Sequence, residues 1–257
     1  MSTRDEPWPD GTPCWYDVVT TDRAPLWAFY AAVFGWEIAD QGEQFGHYAV
    51  ALVGARSVAG IGEGPVVGTP AWTTYLATSD LDATLAKVAG NGGTVVMPAM
   101  DIAESGRMAL ATDPNGALFG LWQAMTMVGA ALVNEPGGVV WNDNVSHDPA
   151  RAREFYTALF GYTYNSDDEG TPEYTTIDGA GPGNTIGGIG TLGEGDAGPA
   201  RWNTYFAVAD VPAVTAAAAA AGGTVVKEPF DTPFGQMAVL ADPQGAVFTV
   251  GSGGEPA

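Results

Sequence analysis

The chain has one cysteine, two histidines and only 9 lysine and arginine residues among 257. A single thiol, Cys14, excludes an internal disulfide framework and fits a reducing, cytoplasmic compartment. As a lone small residue beside a tryptophan, Cys14 is expected to be buried core. Against 30 aspartates and glutamates the formal net charge is −21. Such a surface repels phosphate backbones, which argues against nucleic acid as a partner, and attracts cationic small molecules. No stretch approaches the roughly 18 uninterrupted apolar residues of a membrane span. The first residues, Met1 to Pro7, have no apolar core, so no signal peptide is expected. Neither a G-x-S-x-G nucleophile elbow nor a glycine-rich phosphate loop in a strand-to-helix context occurs; Gly187-Gly188-Ile189-Gly190 lacks that context.

What the chain does have is a repeat. Trp15-Tyr16-Asp17-Val18-Val19-Thr20-Thr21-Asp22 leads into an aromatic stretch that ends at Phe34-Gly35-Trp36. Trp141-Asn142-Asp143-Asn144-Val145-Ser146-His147-Asp148 leads into one that ends at Phe160-Gly161-Tyr162, at a constant offset of 126. Shorter versions stand at Trp72 to Asp80 and at Trp202 to Asp210. Each unit reads as a strand closed by an Asp that caps a helix by accepting from its first backbone N–H groups.

Leu26, Phe29, Tyr30 and Val33 recur at helical spacing over 23–34, and Ala152, Phe155, Tyr156 and Leu159 repeat the stripe after Asp148-Pro149. Gly35 and Gly161 are placed as left-handed stops. Alternating runs around 45–53, 57–62, 94–97, 107–112 and 117–123 predict strands. Asp113-Pro114-Asn115-Gly116 and Asp242-Pro243-Gln244-Gly245 are matching turns before the last strand of each half. The stretch 124–140 has no strong pattern and reads as a linker. Two domains follow, 13–125 and 139–252, each of two strand–helix–strand–strand–strand modules.

Paired βαβββ modules with a D-P-x-G turn before the final strand resemble the glyoxalase/bleomycin resistance protein/extradiol dioxygenase superfamily, the vicinal oxygen chelate fold. The chain is similar in particular to tandem-domain actinobacterial proteins of the hydroxylase-like and glyoxalase-like branch, some from antibiotic gene clusters. The resemblance implies an α+β fold: two tandem glyoxalase-like domains, each a curved, cup-shaped mixed sheet. It also implies metal ligands, a histidine on each module's first strand and a glutamate seven residues after the aspartate of each D-P-x-G turn. The matching positions here are Trp15, Thr73, Trp141 and Asn203, then Gly120 and Thr249. None is a ligand of that kind, so neither metal nor cofactor is expected. Glu63 and Glu194 are candidate relics of the glutamates. His147 is expected at the surface beside a helix cap, and His47 on a strand; either is a conceivable base.

Side chains two apart on a strand share a face, so Asp17 is expected beside Trp15 and Asp143 beside Trp141 in the vacated cups. Thr73, Tyr75, Trp122, Asn203, Tyr205 and Thr249 complete the expected lining. Indole and phenol rings stack on planar ligands and attract cations, while a carboxyl group reads a cation or a hydroxyl. The leading expectation is a metal-free protein that binds an aromatic or polycyclic natural product or drug, cationic in one version. Its service would be antibiotic self-resistance or biosynthesis. The alternative is a cofactor-independent enzyme of secondary metabolism, a cyclase, isomerase or hydroxylase, with Asp17 or Asp143 moving the proton. The bland reading is that Trp15 and Trp141 plug the space and both aspartates are tied to backbone. A homodimer is compatible with all of these.

Overall fold

The structure, a computed structural model, describes residues 3–66, 70–166, 173–179, 183–193 and 195–252. The first half runs β1 (Pro13–Thr20), α1 (Arg23–Phe34), β2 (Glu37–Asp40), β3 (Ala49–Val53), β4 (Arg56–Glu63), β5 (Trp72–Ala77), α2 (Leu81–Gly90), β6 (Thr94–Ile102), β7 (Gly106–Thr112) and β8 (Leu118–Ala124). The second repeats it as β9 (Val139–Ser146), α3 (Pro149–Phe160), β10 (Thr163–Asn165), β11 (Tyr174–Asp178), β12 (Thr185–Thr191), β13 (Arg201–Ala207), α4 (Val211–Ala220), β14 (Thr224–Thr232), β15 (Gly235–Ala241) and β16 (Val247–Gly251).

Each half forms one eight-stranded mixed sheet, in the order β2-β3-β4-β1-β5-β8-β7-β6 and β10-β11-β12-β9-β13-β16-β15-β14. The module-opening strands β1 and β5 pair antiparallel at the centre, as β9 and β13 do. Each also pairs in parallel with the last strand of its own module: β1 with β4, β5 with β8, β9 with β12 and β13 with β16. The sheets curl into open cups. All four capping aspartates, Asp22, Asp80, Asp148 and Asp210, accept from an N–H in the first helical turn. Gly35 and Gly161 end α1 and α3 with φ of 68° and 72°. This left-handed geometry costs glycine little and most other residues more.

The helices sit on the sheet faces opposite the cups, and there the two halves share their cores. One cluster joins Leu26, Phe29 and Tyr30 of α1 to Val211 and Ala218 of α4 and Phe248 of β16. The other joins Leu81 and Val88 of α2 and Phe119 of β8 to Ala152, Phe155 and Tyr156 of α3. Each fully buried Leu or Phe adds roughly 1.5–3 kcal/mol relative to exposure, so each half owes much of its stability to the other.

Polar contacts repeat the exchange. Tyr30 donates its hydroxyl proton to Asp242 at 2.9 Å, and Tyr156 donates to Asp113 at 3.4 Å. Gln244 caps the Asp22 carbonyl and Asn115 the Asp148 carbonyl, both at 2.8 Å. The Trp36 indole donates to the Gly137 carbonyl, and the Tyr162 hydroxyl donates to that of Gly11. Both D-P-x-G turns therefore clasp the opposite half. Where the central strands meet back to back, Thr74 donates to Asn142 at 3.1 Å and Asn142 to Tyr16 at 3.4 Å.

Several expectations need correction. The strand that the βαβββ plan requires directly after each aromatic helix lies at β2 and β10, stretches to which no sequence run was assigned. His47 lies not on a strand but at the end of a turn with φ 57°, its Nδ1 2.9 Å from Asp40. Glu63 pairs with Arg23 at 2.7 Å and is no relic ligand; Glu194 lies outside the described residues. The stretch 124–140 is not featureless: Ala130 donates to the Cys14 carbonyl, and Ser57 exchanges hydrogen bonds with Gly129 and Ala131. Cys14 is fully buried and burial pushes its thiol well up, so it is inert. His147 is exposed.

Candidate functional site

The alternation of β1 sends Tyr16 and Val18 toward the helices and Trp15 and Asp17 into the cup. Asp17 lies opposite Thr73 on β5 and beside Gly60 on β4. Its Oδ2 accepts from the hydroxyls of Tyr75, at 3.0 Å, and Tyr48, at 3.2 Å. The Trp15 indole N–H donates to the Tyr48 hydroxyl at 2.8 Å. Trp15, Asp17 and Tyr75 are at most 5% exposed. The second Asp17 oxygen, Oδ1, is buried without a partner among the described residues.

The second cup repeats the constellation. Asp143 lies opposite Asn203 and beside Gly188. Its Oδ1 accepts from the Trp141 indole at 2.6 Å and from the Tyr174 hydroxyl at 2.5 Å. Its Oδ2 accepts from the Tyr205 hydroxyl at 2.6 Å. Asn203 accepts instead from Arg201 at 3.0 Å. Thr73 and Thr249 are buried beside the two clusters. Both aspartates are thus held by side chains, not by backbone.

Glycines make these clusters possible. A Cβ at Gly60 would lie 1.8 Å from the Tyr48 hydroxyl, and one at Gly188 would lie 2.0 Å from that of Tyr174. A Cβ at Gly120 would lie 2.0 Å from the Tyr75 ring. In the second cup Thr249 pairs with Tyr205 as Gly120 pairs with Tyr75. Its side chain denies Tyr205 the same seat, and Tyr205 is half-buried where Tyr75 is 4% exposed.

Burial acts in the same direction on the two carboxyl groups. Burial pushes Asp17 up to about 7, against the pull of the Tyr75 and Tyr48 hydrogen bonds. Burial also raises Asp143, opposed by three donors: Tyr174, Tyr205 and Trp141. Burial first, and then the neighbouring carboxylate, drives the tyrosine hydroxyls of both clusters well above their usual value, so they stay protonated donors.

Tyr48 and Tyr174 are the site residues that sequence reasoning missed. They stand at the same offset of 126 as the tryptophans, one residue after His47 and Glu173, so the repeat itself held the signal. Trp122 belongs to the first cup, its indole donating to the Met127 carbonyl at 2.9 Å. A metal ion does not fit these residues. The six superfamily ligand positions hold indole, hydroxyl, amide or no side chain. Among the described residues no three His, Cys, Asp or Glu side chains converge.

Two curved sheets, each of paired βαβββ modules, define a tandem vicinal-oxygen-chelate protein. The second half, residues 139–251, matches the glyoxalase-like domain, and residues 15–121 match the glyoxalase/bleomycin resistance protein/dioxygenase superfamily. The chain belongs to that superfamily. It is 42% identical over 247 residues to CFP32 of Mycobacterium tuberculosis (strain CDC 1551 / Oshkosh), which carries a glyoxylase name, covering 93% of this chain and 94% of that protein. It is 35% identical over 258 residues to the anthracycline biosynthesis protein DauV of Streptomyces sp. (strain C5), covering 93% and 92%. Among solved structures, the Mn(II)-bound glyoxalase from Novosphingobium aromaticivorans shares the fold with a TM-score of 0.67 at 16% identity, covering 96% of this chain and 84% of that one. The 2,3-dioxygenase LapB from Pseudomonas sp. KL28 does so with 0.67 at 17%, covering 97% and 95%. Among the described residues no helix is long and apolar enough to cross a membrane.

Proposed function

We propose that this protein binds an aromatic natural product or drug without a metal ion, as an accessory to its biosynthesis or in self-resistance. One observation carries the reading. At the position of the superfamily's metal centre, each cup holds an indole and two phenols tied to one buried carboxyl group, with glycines cleared to seat them. Such a lining offers planar stacking surfaces and one polar anchor, the usual make-up of a small-molecule pocket. A relative named for anthracycline biosynthesis, 35% identical along most of both chains, supports a polycyclic aromatic ligand.

The test is calorimetric titration against a panel of hydroxylated polycyclic aromatics, each mixture then examined by mass spectrometry. Metal content of the purified protein is measured alongside. Saturable binding with unchanged ligand and no stoichiometric metal supports the proposal. A bound transition metal at one per cup overturns it.

A second reading has its own observation. Asp17 is raised to about 7 and keeps one oxygen without a partner among the described residues, which suits a group that takes up and returns a proton near neutrality. A new product or isomer in the same mass-spectrometric assay, lost in Asp17→Asn, would favour a cofactor-independent enzyme.

A further inference from the structure

Beyond Gly120 and Thr249, the two cups differ at a further position on the last strand. In the first, β8 runs beside β5 and sets Trp122 opposite Ala77, with Met108 of β7 on its other side. The Trp122 side chain is 6% exposed and packs in the same cluster as Trp15 and Tyr75. In the second cup the strand pairs keep the same register, Ala207 and Met237 flanking the equivalent position. That residue is Gly251. An indole side chain in the first half is replaced by a hydrogen atom in the second.

The surrounding exposure follows. Trp15 and Tyr75 are 4% exposed, whereas Trp141, Asn203 and Tyr205 are half-buried and Tyr174 is 37% exposed. The Trp122 indole leans over Gly106, where an added Cβ would meet the ring at 2.7 Å, and its N–H is satisfied by the Met127 carbonyl. The second presents the same aromatic wall and the same carboxyl floor with the indole removed.

We infer that ligand binding belongs to the second cup alone. Its ligand is a planar fused-ring aromatic that takes the place Trp122 occupies in the first. Trp141, Tyr174 and Tyr205 supply the stacking surface. Asp143 accepts three hydrogen bonds, and an ionised carboxylate has roughly four acceptor sites, so a ring hydroxyl or amine has one left to use. The first cup is a closed module that braces the second across the shared cores. This rests on the reading above that the protein binds an aromatic compound.

Gly251→Trp rebuilds the plug in the second cup. Gly251 does not have a positive φ, and a Cβ built there meets nothing nearer than the Met237 side chain at 3.7 Å. The backbone therefore accepts a side chain. Calorimetry with alizarin, a hydroxylated tricyclic quinone, is expected to give one site per wild-type chain and at least tenfold weaker binding in Gly251→Trp, with an unchanged unfolding temperature. Tyr174→Ala, which removes a stacking ring at a position 37% exposed, is expected to weaken binding as well. Two equivalent sites per wild-type chain, or wild-type affinity in both variants, would overturn the assignment. Failure of wild-type protein to bind alizarin or any other member of the aromatic panel would instead defeat the broader reading.

Discussion

The ring of Tyr75 lies so close over Gly120 that a Cβ on the glycine would sit 2.0 Å from the ring. Gly120 stands where the superfamily resemblance places a metal-binding glutamate. The phenol has taken over that ground and carries its hydroxyl on to Asp17.

Gly120→Ala is therefore expected to destabilise the protein by about 1–3 kcal/mol, the cost of forcing an extra carbon into a packed interior. Denaturant unfolding measures it. Combined with Tyr75→Ala, which removes the ring, the alanine at 120 should cost far less than it does alone. Additive effects would mean that the ring and the glycine are not in contact.

Asp17 predicts a pH dependence. Its folded pKa, about 7, lies above the ordinary carboxylate value of 3.8, so the folded state holds the proton more tightly than the unfolded chain. The associated stability is complete below about pH 4, falls as pH rises toward 7, and is flat above that. Thermal unfolding of wild type and Asp17→Asn across pH 4–8 isolates the effect from the other acidic groups. The wild type should lose stability relative to the variant by a few kcal/mol over that window. A constant difference would show that Asp17 titrates normally.

The clasp between halves is also measurable. Tyr30 accepts from Trp72 at 3.0 Å and donates to Asp242; Tyr156 accepts from Trp202 at 2.9 Å and donates to Asp113. Removing either hydroxyl takes the acceptor from an indole N–H and a donor from a buried carboxyl oxygen, which for Asp113 still accepts from Asn144 at 3.1 Å. Tyr30→Phe and Tyr156→Phe should each cost about 1–3 kcal/mol. Unfolding should stay a single transition reported equally by both halves. Two separated transitions would mean that the shared cores do not couple the domains.

Metal addition gives a further check. An ion bound to the folded state raises stability in proportion to the logarithm of its concentration over its dissociation constant. Millimolar Mn2+ or Ni2+ should leave the unfolding temperature of this protein unchanged, because the ligand positions hold Trp15, Thr73, Gly120, Trp141, Asn203 and Thr249. A rise of several degrees would reveal a metal site.

Much of this was legible in the chain because the offset of 126 runs through strands, caps and glycine stops alike. Local rules were enough for Asp22, Gly35 and the faces of β1 and β9. Trp15 with Asp17, and Trp141 with Asp143, were placed together by strand alternation alone. Tyr48 and Tyr174 escaped because each precedes its strand by a turn or opens an edge hairpin, where no periodicity assigns a side chain to a face. The exchange of Trp122 for Gly251 escaped although the turns at 113–116 and 242–245 already set an offset of 129 for the last strands, because a glycine offers no side chain to assign to a face. The partners of Asp113 and Asp242 lie in the opposite half, and no pattern within one half could name them.

The back-to-back packing has one more consequence. Thr74 lies 3.4 Å from Thr204, its own counterpart at an offset of 130, and α1 seeks α4 as α3 seeks α2. Reciprocal contacts of this kind are those of an isologous dimer. The chain is in effect such a dimer made permanent by one covalent tether, which holds the two protomers at high effective concentration. Fusion frees the copies from having to remain identical, so one can carry Trp122 where the other carries Gly251.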